Sequence, residues 1–131
     1  MVYMYVGLGG MAGSLLRYCL SMLAIQLWGR EFPVGILLIN VTGSFLLGWM
    51  TSKYILPKKG HPYLLTALST GVIGSYTTFS TFCLDTVQLL KTNHYLIAFL
   101  YIVISLIGGL LFVRLGLFLG KRGTNEAGKM L

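Results

Sequence analysis

Charged residues are scarce in this chain, and that scarcity excludes most classes of soluble protein. Only 10% of its 131 residues are charged, whereas 56% are hydrophobic. A soluble domain carries about 25% charged residues, so this composition cannot provide an ordinary water-exposed surface. The apolar residues also form long continuous runs instead of recurring at the spacing of a soluble helical core. Both features predict an all-α integral membrane protein, built as a single domain over residues 1–131.

Acidic residues and cysteines are rarer still, and their scarcity removes further functions. The chain has three acidic residues and two cysteines, Cys19 and Cys83. The cysteines form neither a CxxC pair nor a metal-ligand spacing, which argues against a disulfide-relay enzyme and favours small buried side chains. No other pattern indicates a catalytic residue, so we predict that the chain is not an enzyme. The net charge of +7 comes from basic residues between apolar runs, which indicates topology signals and lipid contact, with no nucleic-acid partner.

Four apolar runs are long enough to cross a bilayer, which requires about 20 residues per helix. Turn-forming and charged residues separate the runs, as at Pro33 and over residues 57–62. The beginning of the chain lacks a basic region and a cleavage site, so we expect the first run to remain as a span. Residues 121–131 are expected to form a short polar tail that frays. The four predicted transmembrane helices cover residues 2–27, 34–56, 63–90 and 95–119.

The third span has an unusual interior, because residues 69–82 combine two glycines with many hydroxyl side chains. Gly71 and Gly74 permit a break in the helix, and a break frees backbone carbonyl groups at membrane depth. Only buried protein or a cavity satisfies such groups there, and Na⁺ bound at unwound helices is one known solution. We therefore expect the third helix to be broken in the middle of the membrane.

Phe79 and Phe82 follow this segment three residues apart, with Ser80 and Thr81 between them. Two phenylalanines at helical spacing are most often apolar packing residues. The edge of an aromatic ring carries partial positive charge, however, so two edges beside hydroxyl donors also suit a small desolvated anion. These residues alone leave both interpretations open.

Polar residues inside the other spans need a partner, a water molecule or a function. Arg17 shares a helix face with Gly13, and it either extends to the interface or places a fixed positive charge at a vestibule that attracts anions. Asn40 is either a packing hydrogen bond or a donor that lines a pore. Tyr101 and Ser105 supply hydroxyl donors in the fourth span. Donors outnumber carboxylates throughout, and this imbalance favours an anion over a cation.

Three motifs occur in order along the spans. They are Gly10-x-x-Gly13-x-x-x-Arg17-Tyr18, then Asn40-x-x-Gly43-Ser44, then Gly71-x-x-Gly74-x-x-Thr77-Thr78-Phe79-Ser80-Thr81-Phe82. Together they resemble the Fluc (CrcB-type) fluoride channels. The resemblance implies an antiparallel dimer with two narrow pores, through which fluoride leaves the cytoplasm passively and its toxicity is reduced.

The resemblance also implies roles for individual residues. Phe79 and Phe82 would present ring edges to the fluoride ion, and Arg17 would match the arginine at the pore vestibule. A structural Na⁺ that is not transported would be held at the dimer centre by the main-chain carbonyl groups of Gly74 and Thr77. The polar pore-lining positions would be Asn40, Ser80, Thr81, Tyr101 and Ser105.

Two other functions suit a membrane protein of this size. A small multidrug transporter of the dual-topology type would need a carboxylate inside the first span, and this chain has none there. A structural membrane subunit would need neither a broken third span nor Arg17. Both alternatives therefore leave the polar residues of the spans unexplained.

Basic residues are distributed unequally between the two ends of the predicted bundle. The end that holds both termini has six, whereas the other has only Arg30 and Lys91. The positive-inside rule then predicts a multi-pass protein of the cell (inner or plasma) membrane with both termini in the cytoplasm. An antiparallel dimer needs both orientations, so the subunit pairs either with itself or with an oppositely oriented paralogue. The six basic residues are Lys53, Lys58, Lys59, Lys121, Arg122 and Lys129.

Overall fold

The computed structural model describes the backbone of residues 1–129 and the side chains of residues 1–123. Helices and the turns that connect them account for the described residues, and this confirms the all-α fold class. The α-helices are α1 (Val2–Trp28), α2 (Val34–Met50), α3 (Pro62–Thr66), α4 (Gly74–Tyr76), α5 (Ser80–Lys91) and α6 (Tyr95–Lys129).

Three helical stretches are long and apolar enough to cross a membrane, and they coincide with the first, second and fourth predicted spans. They are Val2–Trp28, Val34–Ile55 and Tyr95–Gly123. The second stretch includes a π-helical turn, Thr51–Ile55, that continues α2 without interruption. Between 11% and 28% of the residues in each apolar window are buried within the chain, so most of their side chains face outward. An outward apolar surface of this extent is suited to lipid or to another subunit.

The predicted third span is also helical, but it consists of shorter pieces. α3 continues through a π-helical segment, Ala67–Ile73, into the single turn of α4. The helix then stops, because Thr77 is extended (φ −75°, ψ 154°) and α5 begins only at Ser80. Gly71 and Gly74 lie inside helical turns, so a break at these glycines was the wrong prediction. The interruption comes three residues further along, where main-chain groups find side-chain partners.

Close backbone contacts hold α1 against the third span, and glycines make those contacts possible. A Cβ atom at Gly13 would collide with the main-chain carbonyl group of Val72, and one at Gly9 would lie 2.6 Å from the carbonyl oxygen of Ala67. α1 therefore packs directly on the Ala67–Ile73 segment. This is the close helix approach that glycines four residues apart predict.

α6 makes its main packing contact along α2 and the π-helical turn that follows it. A Cβ atom at Gly120 would lie 2.7 Å from the carbonyl oxygen of Trp49, and one at Gly116 would collide with that of Phe45. The two helices are thus in backbone contact as far as the end of the predicted fourth span.

α6 extends beyond that point to Lys129, so the expected polar tail is helical over residues 121–129. The prediction of a frayed tail was wrong for this stretch, and its last two residues, 130–131, lie outside the described residues. No proline follows Tyr95 in the sequence, and lysine and arginine are good helix formers, so the helix continues past Lys121 despite the glycines at 120 and 123.

Replacing Gly13 with alanine is expected to destabilise the fold, because the added methyl group meets a main-chain carbonyl that moves only if the helix moves. Overpacking of this kind costs about 1–3 kcal/mol. Gly7→Ala is the matched control, since nothing lies within 4 Å of a Cβ atom there. Thermal unfolding of the purified protein in detergent measures both variants. Equal unfolding temperatures for Gly13→Ala and Gly7→Ala would show that Gly13 is not in tight contact with the Val72 carbonyl group.

Candidate functional site

The interruption between α4 and α5 faces the side chain of Asn40, which lies on α2. The Thr78 N–H donates to Asn40 Oδ1 at 2.8 Å, and Asn40 Nδ2 donates to the Thr78 carbonyl oxygen at 2.9 Å. One amide side chain therefore satisfies both main-chain groups of a single residue. In a bilayer, each of these groups would otherwise remain unpaired at a cost of several kcal/mol.

The buried hydroxyl group of Thr78 is the centre of a second set of hydrogen bonds. It lies 3.2 Å from Ser80 Oγ and 3.1 Å from Thr81 Oγ1. It also accepts a hydrogen bond of 3.2 Å from the Thr81 N–H, which caps the first turn of α5. The three hydroxyl groups carry three protons but share only two hydrogen bonds, so one proton stays available to another acceptor.

These side-chain bonds also release two main-chain carbonyl groups. In an uninterrupted α-helix, the N–H groups of Thr78 and Thr81 would donate to the carbonyl oxygens of Gly74 and Thr77. Here both N–H groups donate to side chains instead. Gly74 and Thr77 therefore keep carbonyl lone pairs that can take another ligand. Both residues line an open cavity of about 480 Å³.

Aromatic rings form a continuous series that begins at Phe79, which lines this cavity. The ring centres of Phe79 and Phe82 are 5.8 Å apart, and those of Phe82 and Tyr101 are 5.1 Å apart. Phe32 extends the series, with its ring centre 5.7 Å from that of Tyr101 and the two planes at 86°. Phe79 is 77% exposed whereas Tyr101 is fully buried. The series therefore leads from the outer surface into the interior of the chain.

Phe32 is a member of this series that the sequence did not reveal. It lies in the loop between α1 and α2, immediately before a proline. Its partner Tyr101 is on α6, so no local spacing connects the two rings. The pairing becomes visible only when α6 packs beside the beginning of α2.

The hydroxyl group of Tyr101 has an acceptor within the chain. It lies 3.5 Å from Asp85 Oδ2, towards which it donates. The expected pore donor is thus directed at a carboxylate in this structure. Ser105, one turn further along α6, has a buried hydroxyl oxygen without a hydrogen-bond partner among the described residues. Of these two hydroxyl groups, that of Ser105 is the one without a partner among the described residues.

A larger cavity of about 750 Å³ opens at the end of the bundle where α1 joins α2. Arg30, Glu31 and Asp85 line it together with Thr81, so it carries charges of both signs next to the hydroxyl cluster. Arg17 lines neither of the two cavities. The arginine at this cavity is Arg30, which the sequence indicated only as a basic residue at one end of the bundle.

The structure brings most of the predicted site residues into one connected group. Hydrogen bonds through the buried Thr78 link Asn40, Ser80 and Thr81, and ring contacts link Phe79, Phe82 and Tyr101, with Phe79 next to Thr78 in the chain. Thr78 lies within the third motif but is not among the site residues that the sequence predicts. Among the described residues no group of three or more His, Cys, Asp or Glu side chains could hold a metal ion.

This chain is similar to one family model and to several known proteins. The family model described as "CrcB-like protein, Camphor Resistance (CrcB)" matches residues 4–117. The chain is 43% identical over 124 residues to the fluoride-specific ion channel FluC 1 of Bacillus cereus (strain ATCC 10987 / NRS 248), across 92% of this chain and 88% of the relative. It is 46% identical over 111 residues to the fluoride-specific ion channel FluC 2 of Geobacillus kaustophilus (strain HTA426), across 85% and 86%. It is also 43% identical over 120 residues to the fluoride-specific ion channel FluC of Hydrogenobaculum sp. (strain Y04AAS1), across 92% and 98%.

Replacing Asn40 with alanine is expected to destabilise the chain, because the Thr78 N–H loses its partner inside the protein. A buried polar group left unpaired costs about 1–3 kcal/mol. Ser44→Ala is the matched control, since the Ser44 hydroxyl lines the same cavity but bonds only to the Asn40 carbonyl oxygen within α2. Thermal unfolding in detergent should show the larger loss for Asn40→Ala. Equal midpoints for the two variants would mean that Asn40 does not hold the interruption.

Proposed function

The chain belongs to the CrcB-like family of fluoride-specific ion channels, and from this membership we propose that it is a passive fluoride-selective channel that exports fluoride from the cytoplasm. Export of this kind would reduce fluoride toxicity. The family is one of channels and not of enzymes, so no residue is assigned a catalytic role. The observation that carries the proposal is the cluster around Thr78, where hydroxyl donors adjoin aromatic rings within an apolar multi-pass membrane protein.

A fluoride ion that leaves water needs hydrogen-bond donors and positive electrostatic potential in place of its hydration shell. The spare hydroxyl proton shared by Thr78, Ser80 and Thr81 supplies one donor. The ring edges of Phe79 and Phe82 supply positive potential through their partial positive charge. Further donors towards the interior would be Asn40 and Ser105, together with Tyr101 once its hydroxyl turns away from Asp85. Neutral donors suit conduction because they bind an anion more weakly than a full positive charge would, so the anion can also leave.

A second subunit would complete this site. Phe79 is 77% exposed beside an open cavity lined by Asn40, Ser44 and Thr77. Polar groups of this kind do not face hydrocarbon, so another protein surface is the suitable cover. An antiparallel partner would repeat the path by symmetry and give two pores per dimer. Relatives are named FluC 1 and FluC 2, which supports a paralogue as the alternative to an identical partner.

A structural Na⁺ at the centre of that dimer fits the residues present. Gly74 and Thr77 have carbonyl oxygens whose helical donors are directed elsewhere, and hard cations prefer oxygen ligands. When bound, Na⁺ would supply positive charge to these carbonyl dipoles and hold the helix interruptions together. It would stay in place while fluoride moves through the separate pores.

The basic residues support an orientation in the cell membrane with both termini in the cytoplasm. Arg17 on α1 would add positive potential near one mouth of the pore.

The orientation can be measured by labelling single cysteines. One cysteine is introduced at either end of the bundle in a protein that lacks Cys19 and Cys83, and intact cells are treated with a thiol reagent that does not cross the membrane. Labelling confined to one end supports pairing with a paralogue, and equal labelling supports an identical antiparallel partner.

Phe79→Ile and Phe82→Ile are each expected to lower fluoride efflux by about tenfold, which corresponds to about 1.4 kcal/mol. Isoleucine keeps the apolar volume but removes the ring edge. Efflux from liposomes, followed with a fluoride electrode and with chloride as the anion control, measures the effect. Phe99→Ile is the matched control, because Phe99 is 62% exposed on α6 and belongs to no described ring series. Normal efflux in both pore variants, with folding intact, would rule out a role for the ring edges.

Removal of Na⁺ is expected to lower both the unfolding temperature and the fluoride efflux of the purified protein. The reason is that the carbonyl oxygens of Gly74 and Thr77 would face one another without a cation between them. The measurement compares Na⁺ with N-methylglucamine as the only added cation, and restored Na⁺ should return both properties. Full efflux and unchanged stability after exhaustive exchange would count against a Na⁺ site.

A further inference from the structure

The series of aromatic rings connects the two cavities of the chain. Phe79 at one end lines the smaller cavity, and Phe32 at the other end lines the larger one. Phe82 and Tyr101, the two rings between them, line neither cavity. The ring centres of successive members are 5.8, 5.1 and 5.7 Å apart. Phe32 is therefore the last ring between the interior of the chain and the larger cavity.

The larger cavity lies at the end of the bundle, where water can enter it. Residues 29–33, from the loop between α1 and α2, form part of its wall, and so does His94 from the turn before α6. Connecting segments of this kind run over the surface of a protein. Charged side chains need water or a partner, and the cavity is also lined by Arg30, Glu31 and Asp85. The outer side of Phe32 therefore faces a hydrated space.

The inner side of Phe32, in contrast, faces apolar side chains. Its ring meets that of Tyr101 at 86° and packs against a buried cluster. The buried members of that cluster are Leu89, Ala98 and Tyr101. Tyr101 is fully buried, so the ring of Phe32 covers it on the side of the larger cavity. An anion that moves between this cavity and Tyr101 would have to lose its water at Phe32.

A tight turn holds the main chain of Phe32 in this position. The Val34 N–H donates to the Phe32 carbonyl oxygen at 2.8 Å, across Pro33 with φ −77° and ψ 60°. These angles are those of an inverse γ-turn, and the proline ring fixes φ. The entry of the chain into α2 is thus set by the turn. The passage beside Phe32 therefore depends on the size of the side chain and not on a mobile main chain.

From this arrangement we propose that Phe32 is a specificity-determining residue, whose ring closes the passage between the larger cavity and Tyr101 to water and to larger anions. The diameter and the wetting of a constriction decide which ions pass it. Chloride is larger than fluoride, so a narrow apolar mouth excludes it before it reaches the Tyr101 hydroxyl. The effect on ions rests on the proposed function, whereas the closure itself does not depend on which ion is conducted.

A thiol introduced by Tyr101→Cys tests the closure without any ion. The substitution is made in a protein that lacks Cys19 and Cys83, and mass spectrometry follows its reaction with a charged, water-soluble thiol reagent. Adding Phe32→Ala should accelerate the labelling about tenfold, because the thiol then becomes exposed to the water of the cavity. Ile97→Ala is the matched control and should leave the rate unchanged. Ile97 lines the same cavity and packs against the same cluster, but it has no ring that covers Tyr101.

Efflux from liposomes tests the effect on ions. Phe32→Ala, with Tyr101 intact, should raise the ratio of chloride efflux to fluoride efflux about tenfold, because a wider and wetted mouth admits the larger anion. Phe32→Leu keeps much of the apolar volume and should raise the ratio to a smaller extent. Ile97→Ala should leave the ratio as it is. Because Tyr101 is unchanged here, this assay does not depend on the folding of the Tyr101→Cys protein.

Three outcomes would overturn the proposal. An unchanged labelling rate with Phe32→Ala would show that the ring does not close the cavity. An equal acceleration by Ile97→Ala would show a general loosening of the cluster instead. Faster labelling with an unchanged ratio of chloride to fluoride efflux would show that the closure does not determine specificity. Absence of fluoride efflux from the unsubstituted protein would contradict the proposed function, and the labelling rates would still decide whether Phe32 closes the cavity.

Discussion

The paired hydrogen bonds between Asn40 and the main chain of Thr78 are the interaction on which the rest of the site depends. A helix can stop inside a bilayer only where other groups satisfy its backbone. Asn40 meets that condition from α2, so the chain can leave the helical path after α4 and re-enter it at α5. The hydroxyl cluster, the released carbonyl groups and the exposed position of Phe79 all follow from this change of direction.

The two ends of the bundle differ in the charges that they carry. At the end where α1 joins α2, charges of both signs surround a cavity next to the hydroxyl cluster. At the other end, Lys53 and Arg122 rest on aromatic rings and no described carboxylate accompanies them. Mixed charge lowers the net field around the first cavity, whereas the basic side chains at the second end keep a net positive charge among the described residues.

The sequence could predict those parts of the structure that arise within one helix. Long apolar runs predicted three spans closely, and glycines four residues apart on α1 permit close approach to some neighbouring helix, which the structure shows to be the third span. Polarity inside the spans indicated most of the site residues, and the family resemblance supplied their roles. The position of the interruption could not be predicted, because it depends on the distant side chain of Asn40 and not on the local flexibility of Gly74. Contacts between elements, such as Phe32 with Tyr101, were hidden for the same reason.

The glycine contacts have a consequence for how such a chain varies during evolution. Side chains that touch each other can change together, and paired substitutions of that kind reveal contacts in an alignment. Gly13 touches the carbonyl group of Val72, and Gly120 touches that of Trp49. A carbonyl group is the same whatever residue carries it, so no second substitution can compensate for the loss of either glycine. The tightest helix contacts of this protein are therefore the ones that covariation between positions is least able to detect.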